Sequence, residues 1–118
     1  MISFIDVDFA ASDARGCLVQ LCRDGWKQIN VSKSYAGTVR GNHFHKRNRE
    51  AFFIVEGGIE MTLERNGETQ KVNAQKGDFF IIEPDVCHSF RYPEDTLTVA
   101  LYDLGVENPD GSKDIYSR

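Results

Sequence analysis

Apolar residues in this chain recur in short β-rich runs divided by turn residues, and helical periodicity is almost absent. The runs cover residues 2–7, 16–22, 26–34, 38–45, 50–56, 59–65, 68–72, 79–82, 87–91 and 96–104. Many short strands at this spacing predict an all-β sandwich or barrel. Asn66-Gly67 is a type I′ hairpin signal, and a two-residue loop there would set Arg65 opposite Glu68 and Met61 opposite Val72. Ala51 to Val55 and Phe79 to Ile82 are continuously apolar, which predicts strands covered on both faces. The tail Glu107-Asn108-Pro109-Asp110-Gly111-Ser112-Lys113-Asp114 is turn-rich and is expected to lie outside the barrel.

At 118 residues the chain is expected to form one domain, 1–118, with a real core. A formal net charge of -4 with no basic block gives no reason to expect nucleic acid as a partner. Lys46, Arg47 and Arg49 are the densest positive run and read as a solvated loop tip. No stretch approaches the roughly 18 apolar residues of a membrane span, and the N-terminus lacks the basic and apolar regions of a secretory signal. Cys17, Cys22 and Cys87 are odd in number and far from any Cys-x-x-Cys spacing, so reduced thiols in a cytoplasmic protein are expected. Cys87 adjoins His88, but neighbouring strand residues face opposite sides, which points the thiol into the core.

The chemistry is concentrated in one pattern. All three histidines, His43, His45 and His88, fall in it together with Glu50, and three imidazoles with a carboxylate are the ligand set of a mononuclear metal site. His43 and His45 are two apart on a predicted strand and share a face. Residues 46–49 are expected to form a four-residue hairpin loop, and pairing across it puts Glu50 opposite His45. His88 must then arrive from another strand, after the Pro84-Asp85 turn, which requires a closed or nearly closed sheet. A metal is one reading, and an unmetallated histidine pair acting as acid and base is the other.

Gly37, five residues, His43-x-His45, four residues, Glu50, six residues, Gly57 resembles the first cupin motif, and Gly77 to Pro84 to His88 resembles the second. The second block departs in Pro84-Asp85, with no Gly after Pro, and in Tyr92, where Asn is common. The resemblance covers roughly residues 37 to 92 and implies a single-domain cupin, an antiparallel jelly-roll barrel. Asp13-x-Arg15-Gly16, Trp26 through Ser34, and Gly37-x-x-Arg40-Gly41-x-His43 are further similar to the dTDP-4-dehydrorhamnose 3,5-epimerase group. That group includes the sugar 3,4-ketoisomerases and the cupin domain of capsule-synthesis hexulose reductases, to which His-x-His, Glu50 and the tail are most similar. The resemblance implies that Arg40 grips a diphosphate, that Gln28 and Asn30 line a nucleotide-sugar pocket, and that His43 removes a proton beside a keto group. It also implies pairing of two barrels through N-terminal strands, here residues 2–7, hence a homodimer. Two departures stand out: Phe52-Phe53 where the epimerases carry a catalytic lysine, and Val31 where the ketoisomerases carry a tyrosine.

A lysine beside the base can be replaced by a divalent metal, since either stabilises an enolate. Held by His45, Glu50 and His88, such an ion leaves His43 as fourth ligand or as free base. Zinc, manganese, iron and nickel all suit the set. The expected function is isomerisation or epimerisation of a nucleotide-linked 4-keto-6-deoxy sugar in surface polysaccharide synthesis, with His43 and His45 catalytic. The alternatives are a metal-dependent cupin dioxygenase and a non-catalytic sugar-nucleotide-binding module. For Arg40 the competing reading is a plain ion pair to a carboxylate, and for Gln28 and Asn30 it is simple exposure. Tyr35, Tyr92, Tyr102 and Trp26 read first as packing aromatics.

Overall fold

Alternation along the strands gives this chain two sheets whose apolar faces meet, and that meeting places the histidines. The structure is a computed structural model and describes residues 1–117. One sheet contains β1 (Ile2–Phe4), β9 (Phe79–Ile82), β6 (Glu50–Glu56), β11 (Thr96–Tyr102) and β4 (Gln28–Ser34), in that order. The other runs β12 (Tyr116–Ser117), β5 (Val39–Phe44), β10 (Cys87–Arg91), β7 (Gly58–Arg65) and β8 (Glu68–Gln75). All these pairings are antiparallel, and the architecture is a two-sheet jelly-roll sandwich. A separate hairpin, β2 (Phe9–Asp13) with β3 (Gly16–Gln20), joins neither sheet.

Phe52, Ile54, Phe80 and Ile82 from one sheet meet Ile59, Met61, Leu63 and Phe90 from the other to form the main core. Ala51, Phe79 and Leu101 face the opposite way and are covered by Ile5, Val7, Leu21 and Trp26. β6 and β9 are thus buried on both faces, as their unbroken apolar runs require. The β7–β8 hairpin has the expected register, Arg65 opposite Glu68 and Met61 opposite Val72. Asn66 (φ 53°) and Gly67 (φ 80°) both take the left-handed values of a type I′ turn.

Three expectations are corrected. Residues 46–49 are not a hairpin loop: β5 pairs with β10 and β12, β6 pairs with β9 and β11, and the connection crosses from one sheet to the other. The tail lies outside the barrel only as far as Lys113: Asp114, at its end, is fully buried, and β12 beyond it adds to β5. β2 was absent from the predicted strands, since Phe9-Ala10-Ala11-Ser12-Asp13 has one strong strand former and gains its conformation by pairing with β3. Among the described residues no helix is long and apolar enough to cross a membrane.

Candidate active site

His88 of β10 lies opposite His43 of β5, and Phe90 lies opposite Arg40, with a register shift between. His88 and Phe90 both face the core, so His43 and Arg40 share the inward face although they stand three positions apart. A strict strand would send them to opposite faces. The bulge at Gly41-Asn42 restores the phase, with φ of 96° and 58°. Gly41 is needed there for a second reason: a Cβ would stand 2.6 Å from the His88 carbonyl oxygen. His45 follows at the end of β5, its carbonyl accepting from the Asp85 amide at 2.7 Å.

Glu50 opens β6 on the facing sheet, and the two sheets bring it to the histidines. The donor atoms of His43, His45, Glu50 and His88 all lie within 4.8 Å of one another, so all four expected ligands converge. His45 Nδ1 donates to the Asp114 carbonyl (2.6 Å), and His88 Nδ1 donates to the Val86 carbonyl (3.1 Å). Those two bonds leave both Nε2 atoms facing the same Glu50 oxygen, at 2.9 Å and 3.5 Å. Two nitrogen lone pairs and a carboxylate, all buried, require a cation among them, either a proton or a metal ion. The donor set and the outward Nδ1–H bonds are compatible with a metal ion held between the rings. Donors about 2.1 Å from one ion lie at most about 4.2 Å apart, so only a small contraction is needed.

The three imidazoles are differently poised. Burial pulls His88 down to about 4, and burial with the nearby His45 charge lowers His43. Burial also disfavours charge on His45, but the hydrogen bond and charge of Glu50 outweigh it and raise the pKa. A neutral His43 beside a charged His45 is therefore the resting arrangement without metal. Tyr102 is cross-strand neighbour to Glu50 and hydrogen-bonds it, and burial and that carboxylate both push the phenol upward.

Gln28, Asn30, Ser32 and Ser34 share one face of β4, opposite Tyr102, Ala100, Thr98 and Thr96 of β11. Gln28 and Asn30, with Tyr102, Gly105, Lys113 and Ile115, line a cavity of about 530 Å³. Gln28 Oε1 is engaged by the Val106 amide at 2.8 Å, whereas Asn30 is exposed. Arg40 lies at the other end of this face, where Nε donates to Ser34 Oγ (2.8 Å) and Nη2 to the Lys33 carbonyl (3.3 Å). Both partners are neutral, so Arg40 is not held by the carboxylate that its structural reading required. Val31 is 70% exposed on the opposite face of β4, so it does not share the face of Gln28 and Asn30. Cys87 is buried, as its position beside His88 implied.

Two further residues reach the site, one read first as packing and one not singled out for any role. Tyr102 read as packing, although its inward phase follows from Thr98 and Ala100, both buried. Asp114 sits in the turn-rich tail, where no periodicity marks a direction.

The sequence profile of the Cupin domain family matches residues 33–105. The spore coat polysaccharide biosynthesis protein SpsL of Bacillus subtilis (strain 168) is 26% identical, over 84% of this chain and 76% of that protein. Among solved structures, the sugar 3,4-ketoisomerase QdtA of Thermoanaerobacterium thermosaccharolyticum in complex with TDP superposes with a TM-score of 0.81 at 16% identity, covering 99% of this chain and 88% of that one. The dTDP-4-dehydrorhamnose 3,5-epimerase of Sulfolobus tokodaii gives a TM-score of 0.74 at 19% identity, covering 93% and 79%. The fold, both glycine-flanked motifs and the matched profile together establish that this chain belongs to the Cupin domain family.

Proposed function

We propose that residues 1–118 form one cupin domain that isomerises or epimerises a nucleotide-linked 4-keto-6-deoxy sugar, in the cytoplasm, for surface polysaccharide synthesis. The observation that carries this reading is the Gly41-Asn42 bulge, which turns Arg40 and His43 to one inward face. Three positions along a strand span roughly 7–10 Å, a distance suited to a diphosphate at one end and the reacting sugar at the other. Arg40 offers planar, bidentate geometry to the diphosphate. Gln28 and Asn30 line the polar cavity. The names of SpsL, QdtA and the 3,5-epimerase support the same chemistry.

His43 is the base that removes the proton beside the keto group. It is half-buried while His45, Glu50 and His88 are nearly inaccessible, and its lowered pKa keeps the imidazole neutral and able to accept. His45, Glu50 and His88 fit one divalent ion, zinc, manganese, iron or nickel, with His43 as a fourth ligand when it is not the base. Such an ion supplies Lewis-acid stabilisation for the developing enolate. Without metal, His45 charged by Glu50 is the acid partner of His43. Incubation with dTDP- and UDP-4-keto-6-deoxy sugars tests this: a rearranged sugar seen by NMR supports it, and unchanged sugars with bound protein favour a binding module.

We also propose a homodimer. β1 is satisfied on one side by β9, so the expected cover for residues 2–7 is partly internal. The β2–β3 hairpin, however, pairs with no other strand and exposes Phe9, Leu18 and Val19. A lone two-stranded hairpin is marginal in water, and a second copy would cover it.

A further inference from the structure

We infer that Asp114 is a positioning residue that sets the orientation of His45 and ties it to the tail segment lining the neighbouring cavity. This rests on the metal reading of the site given above. The carboxylate is fully buried and gathers four donors. Its Oδ1 accepts from the Lys46 amide (2.9 Å), and its Oδ2 from the amides of Arg47 (3.0 Å) and Asn48 (3.0 Å) and from Asn48 Nδ2 (2.8 Å). Two carboxylate oxygens can satisfy four donors, and a carboxamide oxygen cannot.

These bonds fold the crossing between the two sheets that carries His45 to Glu50. They also bring the Asp114 carbonyl to His45 Nδ1 at 2.6 Å. One residue thus shapes the loop after His45 with its side chain and fixes the ring with its backbone. The consequence is chemical: with Nδ1 committed as donor, Nε2 is the only nitrogen of His45 able to face Glu50 and His88. Outer partners of this kind usually act on affinity through ring orientation. The neighbours Lys113 and Ile115 line the 530 Å³ cavity, so a molecule entering that cavity touches the segment that holds His45. The Asp114 amide donates to the Val106 carbonyl (2.8 Å), which fastens the same segment at its other end.

The test uses the full chain and zinc alone as probe. In the wild type, the His45 Nδ1–H is expected as a slowly exchanging ring proton in ¹⁵N-edited NMR. Asp114→Ala should lose that protection and weaken zinc 10–100-fold by chelator competition, the usual cost of removing an outer partner. Asp114→Asn, which keeps one acceptor oxygen, should fall between and decides the matter if the alanine variant does not fold. Ile115→Ala perturbs the same segment without touching His45 and should leave zinc affinity within about twofold whatever its effect on Tm. Unchanged zinc affinity with a protected His45 ring proton in the Asp114 variants overturns the assignment. So does a zinc loss in all three variants that simply follows their loss of Tm. If the wild type takes no zinc, the metal reading fails, while the ring-proton comparison still decides for or against Asp114.

Discussion

His45 Nε2 and Glu50 Oε1 stand 2.9 Å apart although they belong to opposite sheets and only four residues connect them. Glu50 Oε1 also faces His88 Nε2 at 3.5 Å, so one buried oxygen serves two imidazoles. Replacing it should therefore disable the whole centre. Glu50→Gln is expected to lower bound divalent metal from near one per chain to a small fraction, read by elemental analysis after metal reconstitution. Retention of a full equivalent would remove Glu50 from the ligand set.

Gly41 is expected to tolerate no side chain. Gly41→Ala combines a left-handed φ of 96° with a Cβ 2.6 Å from the His88 carbonyl. The cost should be about 2–4 kcal/mol, measured by denaturant unfolding. A variant that keeps stability but loses the bulge would also turn Arg40 away from His43, which a ligand titration would detect.

Much of this was legible in the sequence, for reasons specific to each element. Period-two patterning and the Asn66-Gly67 turn set strands and register locally, and β7–β8 follows them residue for residue. The convergence of His43, His45, Glu50 and His88 was legible because the chain has only three histidines and each falls in a glycine-flanked motif. The path between His45 and Glu50 was not. Four residues can close a hairpin or cross between sheets equally well, and long-range pairing of β5 with β10 decides. Both routes bring the same groups together, so the convergence survives the wrong connection. Asp114 was invisible because its role depends on three consecutive amides presented by a loop 66 to 68 residues earlier in the chain.

Acid should destabilise the metal-free protein over a defined window. His88 is held near 4 when folded, against the ordinary 6.5 when unfolded. Between these values the unfolded chain binds the proton and the native chain does not, so stability falls as pH falls from about 6.5 to about 4. The full loss is about 3 kcal/mol. His45, whose pKa is raised, acts oppositely: its contribution is present below its unfolded pKa and fades as pH rises through the folded one. Thermal melts across this range should show a net acid-side decline that His88→Gln flattens. An unchanged slope in that variant would assign the decline to other groups.

Arg40 is expected to act on binding more than on turnover. Its Ser34 and Lys33 contacts are neutral and exchangeable for a diphosphate. Arg40→Ala should weaken nucleotide-sugar affinity about 10–100-fold, the range for charge-assisted hydrogen bonds. KM should rise with little change in kcat, because the diphosphate is held alike in ground and transition states. A kcat-only defect would place Arg40 at the reacting carbons instead.

Proton removal by His43 beside a ketone is measured directly by solvent exchange. In D2O, a nucleotide-linked 4-keto-6-deoxy sugar should gain deuterium at C3 or C5 only when the protein is present. His43→Ala should slow that uptake about 10²–10⁴-fold, the usual contribution of a general base. Binding of dTDP- and UDP-4-keto sugars, seen as a rise in Tm, with no deuterium at either carbon would contradict the account and leave a binding module. Consumption of O2 with the sugar unlabelled would contradict it in favour of a dioxygenase.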